Sequence, residues 1–266
     1  MSESPQPHTP EYYARMHALE AASWWNAGMR DLAAHLIELA SLGDECTALD
    51  VGCGSGQTVG WLKRTHESWK ALGLDIAIEG LSVARDCGLD VIRASAFDIP
   101  LASASVDFIS VFDVLHHLPL AGGDVAALRE MRRVVRPGGY LLVRTNARSF
   151  PYKDDDTVSQ YHTYETKDLR RKLQSAGFRV VRMSRANGLL GLAEIPRELK
   201  ARRQSDRGIL APDPVAPGPA DTIKRAWLRL EGALIVSGLR LPLGRSIVAL
   251  CRAEATSCMS GQGTAG

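Results

Sequence analysis

Apolar positions along the chain alternate between two periods. Met29, Leu32, Ala33, Leu36, Ile37 and Ala40 recur at helical spacing. Thr47–Val51 (TALDV) then reads as a short buried strand that runs into glycines. Residues 57–64 predict a helix, and Lys70–Asp75 (KALGLD) a second strand. Ile78, Leu81, Ala84 and Cys87 predict a helix that Gly88 stops. A third strand is expected over 89–94 (LDVIRA) and a fourth over Val106–Phe112 (VDFISVF). Asp124 is suited to N-cap a helix that turns Val125, Leu128, Met131 and Val135 inward. Pro137-Gly138-Gly139 predicts a turn into a fifth strand at 140–145 (YLLVRT). Leu169, Leu173 and Ala176 form one more helical stripe, closed by Gly177, and 178–183 (FRVVRM) a sixth strand. Strands that alternate with helices imply right-handed crossovers and a mostly parallel α/β sheet covered on both faces.

The alternation fails over 185–244. That stretch holds basic residues, then Pro212, Pro214, Pro217 and Pro219, then a helix with Ile223, Trp227, Leu230 and Leu234 on one side. Residues 246–251 (SIVALC) predict a last strand. One domain is therefore expected over 11–254, with a helical cap at 11–44 and a lid inserted at 185–244. The polar ends, 1–10 and 255–266, are expected to be disordered tails.

Composition narrows the function classes. With 266 residues and 45% hydrophobic content the chain can build a substantial core. The net charge of +2 lacks the basic excess of a general nucleic-acid binder. Five cysteines without C-x-x-C spacing argue against a disulfide framework or a zinc site, so no metal is expected. The opening MSESPQPHTP lacks an apolar signal core, and no apolar run is long enough to span a bilayer. The expectation is a cytoplasmic protein.

The most specific chemistry lies in Leu49-Asp50-Val51-Gly52-Cys53-Gly54-Ser55-Gly56, between a strand and a helix. Glycines there let the backbone bend tightly and approach a ligand, because no Cβ intervenes. The next strand ends in Asp75, placed to accept hydrogen bonds from both hydroxyls of a ribose. The dinucleotide fingerprint would put a glycine where Gln57 stands. Asp50, on the strand before the glycines, would repel a pyrophosphate but attract a sulfonium or an ammonium. A glycine-rich turn with no ligand is the structural alternative.

The segments LDVGCGSG, GLD, RASAFDIPLASASVDFISVFDVLHHL and RVVRPGGYLLV resemble, in order and spacing, the class I S-adenosylmethionine-dependent methyltransferases. The resemblance is greatest to a small-molecule group that includes the quinone-biosynthesis methyltransferases. It covers about residues 45–185, with the last strand returning near 246–252. The resemblance implies a Rossmann-like seven-stranded sheet in the order 3-2-1-4-5-7-6, the last strand antiparallel. It implies that the Gly52, Gly54 and Gly56 turn lines the methionine part of S-adenosyl-L-methionine and that Asp50 holds its amino end. Asp75 would bind the ribose and Ile76 would pack on the adenine. Ser95, Ala96 and Phe97 would frame the adenine ring, with Ser95 where many relatives carry an aspartate. Phe112 would offer its carbonyl to the cofactor ammonium.

Methyl transfer from a sulfonium needs positioning first, and a base only where the acceptor must lose a proton early. His116 and His117, after the fourth strand, and His162, in Tyr161-His162-Thr163-Tyr164, are the candidate catalytic residues; each also admits a packing role. Asp113 could bind the ammonium or cap a turn. Trp24-Trp25 with Arg30 resembles a segment that closes over the cofactor in some relatives, or is plain helix packing. Trp61, Trp69 and Trp227 read as packing residues. Arg197, Lys200, Arg202, Arg203 and Arg207 could meet an anionic substrate or form a solvated face. The helix at 223–236 could seal a pocket, dimerise or touch a membrane surface, and docking on the lid best explains its apolar stripe. The leading expectation is a methyltransferase acting on a small molecule, as a monomer or homodimer, without nucleic acid as partner. The alternatives are a catalytically inactive methyltransferase-like binding or regulatory protein and an NAD-dependent oxidoreductase. An RNA methyltransferase is disfavoured because Phe112-Asp113-Val114-Leu115 stands where an Asn-Pro-Pro-Tyr-type motif would.

Overall fold

The computed structural model describes residues 9–119, 121–148, 163–188 and 218–254. His162, the basic run from Arg197 to Arg207 and most of both expected tails lie outside these residues. The elements are α1 (Pro10–Ala22), α2 (Trp24–Glu38), β1 (Thr47–Val51), α3 (Gln57–Thr65), β2 (Lys70–Asp75), α4 (Ile78–Asp86) and β3 (Val91–Arg93). There follow β4 (Val106–Phe112), a short 3-10 turn (Leu115–His117), α5 (Gly123–Val134), β5 (Val135–Asn146) and α6 (Thr166–Ser175). β6 (Phe178–Ala186), α7 (Pro219–Val236) and β7 (Ser246–Ala253) complete the described chain.

The strands form a seven-stranded sheet in the order β3-β2-β1-β4-β5-β7-β6. Pairs from β3 through β5 are parallel, and β7 is antiparallel to both β5 and β6. This is the order that the resemblance implied. Successive strand residues face opposite sides of a sheet, and two cores follow from that. Leu49, Ile109, Leu141 and Ala249 join Leu128, Met131, Leu169 and Leu173 of α5 and α6. Ala48, Phe108, Leu142 and Val248 join Met29, Leu32, Leu36, Leu62 and Leu228 of α2, α3 and α7. A sheet buried on both faces explains why its strands read as continuous apolar runs.

Four expectations need correction. β3 is only three residues, Val91–Arg93, not 89–94. β5 starts at Val135, because Val106 pairs with Val135 and Phe108 with Tyr140, so Pro137-Gly138-Gly139 is a bulge inside the strand. The close approach there needs glycine, since a Cβ on Gly139 would lie 2.7 Å from the Asp107 carbonyl oxygen. Gly122, at φ +86°, caps α5, and Asp124 is instead a fully buried residue within it. Finally, α7 docks through Leu228, Gly232 and Ile235, not through the Ile223, Trp227, Leu230, Leu234 stripe. Its backbone comes close to α2: a Cβ on Gly28 would sit 2.6 Å from Leu228 Cδ1, and one on Gly232 3.3 Å from Leu32 Cα.

Helix α1 was not visible in the apolar pattern. Thr9 caps it, its hydroxyl accepting from the Tyr12 amide at 3.2 Å, and Pro10 opens the first turn, where its missing N–H costs nothing. The helix buries no residue fully and so has no apolar stripe. Ser23 ends it and caps α2 through the Asn26 amide at 3.2 Å.

Candidate active site

The β1–α3 turn bends back on β2. The Gly52 and Cys53 amides both donate to the Leu74 carbonyl, at 2.7 and 3.0 Å. Gly52, Gly54 and Gly56 all have positive φ, at +76°, +52° and +83°. Two of them are required by packing. A Cβ on Gly52 would lie 2.1 Å from Val114 Cγ2, and one on Gly56 2.6 Å from Leu89 Cδ1. Gly54 differs, because a Cβ there meets nothing within 4 Å. The middle of the turn therefore faces open space at the carboxyl edge of the sheet, where ligands bind in open α/β folds.

The Asp75 carboxylate lies against that turn. Asp75 Oδ2 accepts from the Gly54 amide at 2.8 Å, and Oδ1 from the Ala77 amide at 2.9 Å. A carboxylate has about four lone-pair sites, so both oxygens can still accept from hydroxyl groups. Asp50 is buried, and Ser110 donates to its Oδ1 at 2.6 Å. Burial pushes its carboxyl up to about 7, against the Ser110 hydrogen bond and the nearby Arg144 guanidinium. Beyond Asp75 two apolar side chains stand in solvent, Ile76 at 67% exposure and Phe97 at 43%. Ser95 stabilises the turn carrying Phe97, its hydroxyl accepting from the Phe97 amide at 3.2 Å, and Ala96 is buried between them. An apolar slot beside a carboxylate suits a nucleoside.

Helix α1 lies over the turn. His17 Nδ1 is 3.1 Å from both the carbonyl and the hydroxyl oxygen of Ser55, and Gln57 donates from its side-chain amide to the His17 carbonyl at 2.9 Å. A Cβ on Gly80 would lie 3.1 Å from the Tyr13 ring. Burial raises the Tyr13 phenol, and Asp75 and Glu79 raise it further. These residues were missed in the sequence because α1 has no apolar stripe. The Thr9-Pro10 start, with Glu11 in the first turn, was the signal that could have found the helix.

A charged cluster closes the Asp50 end. Asp113, at φ +59°, follows β4 and accepts from Arg144 at 2.6 and 2.9 Å. The Arg144 guanidinium lies 4.9 Å from the ring centres of both Trp25 and Phe112. Glu20 comes in from α1; burial raises its carboxyl, opposed by Arg144 and Arg30. Arg30 comes from α2, and burial together with Arg144 lowers its guanidinium.

His116 and His117 sit beside this cluster. His116 is buried, its Nδ1 3.4 Å from Thr145 Oγ1, and its ring centre is 4.3 Å from that of His117. Burial lowers the His117 imidazole, with Asp113 opposing. Their turn is fixed from below: the Tyr164 hydroxyl is 3.0 Å from the Leu115 carbonyl and from Asp124 Oδ2, which also receives the Lys172 ammonium. Burial and Asp124 drive the Tyr164 phenol far up. Trp69 packs as expected, while Trp227 is more than a third exposed.

Residues 49–143 match the family model described as a methyltransferase domain. This span holds the glycine turn, Asp75, the adenine-side turn and the histidine pair. Residues 49–143 are a methyltransferase domain. A Mycolicibacterium smegmatis protein named "Probable S-adenosylmethionine-dependent methyltransferase/" is 31% identical to this chain over 152 residues, covering 55% of this chain and 58% of that one. The Arabidopsis thaliana tRNA (carboxymethyluridine(34)-5-O)-methyltransferase is 33% identical over 105 residues, covering 40% of this chain and 25% of that one. The chain thus spans a quarter to somewhat over half the length of these relatives. Haemonchus contortus phosphoethanolamine N-methyltransferase 2, solved with S-adenosyl-L-methionine, shares the fold at a TM-score of 0.57 and 15% identity, over 85% of this chain and 53% of that one. Among the described residues no helix is long and apolar enough to cross a membrane.

Proposed function

We propose that this protein transfers the methyl group of S-adenosyl-L-methionine to a small-molecule acceptor. The observation that carries the reading is the open space over Gly54 beside the Asp75 carboxylate. A cationic nucleoside fits that charge; a pyrophosphate would be repelled. In this reading Asp75 accepts the ribose hydroxyls, while Ile76, Ser95, Ala96 and Phe97 hold the adenine. Gly52, Gly54 and Gly56 let the backbone approach the methionine part. Asp50 and the Phe112 carbonyl meet its ammonium, and Arg30 its carboxylate. The cofactor, when bound, supplies an electrophilic methyl group for in-line displacement.

The chain's own residues then have to position the acceptor and exclude water. Trp25, the Asp113–Arg144 pair and the histidine turn lie together beside the Asp50 end. His117, with its lowered pKa, is neutral near pH 7 and can accept a proton from an acceptor hydroxyl or ammonium. His116, packed on Thr145, holds its neighbour's ring and is a positioning residue in this reading. His162 stays a candidate for the acceptor side. The near-balanced net charge of +2 supports a small acceptor over RNA.

The tRNA-modifying relative motivates a second reading, an RNA acceptor. Incubating the protein with methyl-labelled cofactor, a small-metabolite extract and total tRNA separates the two. Label in the small-metabolite fraction supports the proposal. Label in tRNA overturns the acceptor class, and bound cofactor with no label anywhere favours a non-catalytic, methyltransferase-like protein.

A further inference from the structure

Helix α1 turns a polar side toward the glycine turn. Tyr13, His17 and Glu20 fall at intervals of four and three, so they share one side of the helix. Two contacts fix where that side points. His17 Nδ1 lies 3.1 Å from the carbonyl and the hydroxyl oxygen of Ser55, and the His17 carbonyl accepts from the Gln57 side chain at 2.9 Å. The Tyr13 ring lies against Gly80 of α4, where a Cβ would come within 3.1 Å of the ring and 3.0 Å of the Gly54 carbonyl oxygen. His17 therefore sits over the turn, with Tyr13 toward α4 and Glu20 toward α2. No residue of α1 is fully buried, so core packing does not account for this placement.

The order along α1 matches the order of the groups below it. Asp75 and Glu79 act electrostatically on the Tyr13 phenol, which puts it at the ribose end of the proposed site. Arg144, Arg30 and Asp113 act on the Glu20 carboxyl, and Glu20 in turn acts on Asp50. Glu20 is therefore at the methionine end. Burial works against its charge, yet among the described residues no hydrogen bond or ion pair holds its carboxylate. Arg30 attracts it but forms no ion pair with it, and the Arg30 guanidinium has no such partner either. Enclosed polar groups without partners cost free energy that a ligand of matching charge recovers. A carboxylate and a guanidinium side by side, each without a partner, match the ammonium and the carboxylate of a zwitterion. An ammonium has three N–H donors. The proposed function assigns Asp50 and the Phe112 carbonyl to it, and Glu20 supplies the third acceptor.

We infer that α1 is the roof of the cofactor site: Tyr13 donates its hydroxyl at the ribose end, Glu20 accepts from the ammonium of the methionine part, and His17 fastens the helix to the turn. This rests on the methyltransferase reading.

Calorimetric titration of the full chain with S-adenosylhomocysteine and with methylthioadenosine tests it, because the second ligand keeps the adenosine and the thioether but lacks the amino-acid part. Tyr13→Phe should weaken both ligands by a similar factor, about threefold to tenfold for one neutral hydrogen bond. Glu20→Gln should weaken S-adenosylhomocysteine by about tenfold or more and leave methylthioadenosine within about twofold, since only the first carries the ammonium. Glu11→Gln removes a carboxylate from the opposite, exposed side of α1 and should change neither. If Glu20→Gln fails to fold, Glu20→Asp, which keeps the charge and shortens its reach, has to show the loss for S-adenosylhomocysteine alone. Wild-type binding of neither ligand would overturn the methyltransferase reading and the roof together. Wild-type binding that Glu20→Gln leaves unchanged, weakens equally for both ligands, or weakens no more than Glu11→Gln does would overturn the roof alone.

Discussion

Asp50 makes the central electrostatic argument measurable. Its carboxyl is buried on β1, takes one hydrogen bond from Ser110, and has a pKa raised from 3.8 to about 7. The native chain therefore holds a proton that the unfolded chain has released across that interval. The contribution of this one carboxyl to stability should be greatest below about pH 4, fall as pH rises to about 7, and level off above it. The gap corresponds to a ceiling of about 4 kcal/mol. Asp50→Asn keeps an acceptor for Ser110 but cannot ionise. Its urea unfolding free energy should lack this fall, so its gain over the wild type should grow with pH. Cofactor binding should couple to the same proton, because a nearby cation favours the ionised carboxylate. Wild-type affinity for S-adenosylmethionine should rise by up to about tenfold per pH unit below neutrality and flatten above it, with proton release seen as a buffer-dependent heat. Asp50→Asn should bind more weakly and without that release. Parallel pH profiles for the two proteins, in unfolding and in binding, would refute the placement of Asp50 and the charge it carries.

Three further substitutions separate structure from binding. Asp75→Ala should weaken adenosyl-ligand binding by about 1–3 kcal/mol by stranding polar partners, read by calorimetric titration. Gly52→Ala and Gly54→Ala should diverge. The first adds a 2.1 Å clash with Val114 to a left-handed backbone at φ +76° and should cost about 2–5 kcal/mol of stability in urea. The second meets nothing within 4 Å and should cost only about 1–2 kcal/mol, from its left-handed backbone, yet lose cofactor affinity. Tyr164→Phe removes the hydroxyl between Asp124 and the Leu115 carbonyl and should destabilise the chain by about 1–3 kcal/mol, measured by denaturant unfolding.

The sheet could be read from the sequence because both its faces are buried. β1, β2 and β4 appeared with their observed bounds, since each is an apolar run between a turn and a glycine or polar stop. The strand order could not be reached from periodicity and entered through the family resemblance. Helix α1 falls within the helical cap expected over 11–44, but a helix lying over a polar cleft has no apolar stripe to give its register, so Tyr13, His17 and Glu20 were not singled out. The Arg144–Asp113 pair also escaped, because the two residues are 31 positions apart and meet only once β4 and β5 are paired. Asp124 was taken for a cap on its residue type, yet its partners Tyr164 and Lys172 come from distant segments. The apolar stripe of α7 was found correctly, but its exposure was not, since periodicity identifies an apolar side without saying what covers it.

Calorimetric titration of the wild-type protein with S-adenosylhomocysteine, beside NAD and the Asp75→Ala variant, tests the central claim most directly. The account predicts micromolar binding of the adenosyl ligand, its weakening in the folded variant, and no binding of NAD. No adenosyl binding, or binding that the variant leaves unchanged, would contradict the site described at Gly54 and Asp75.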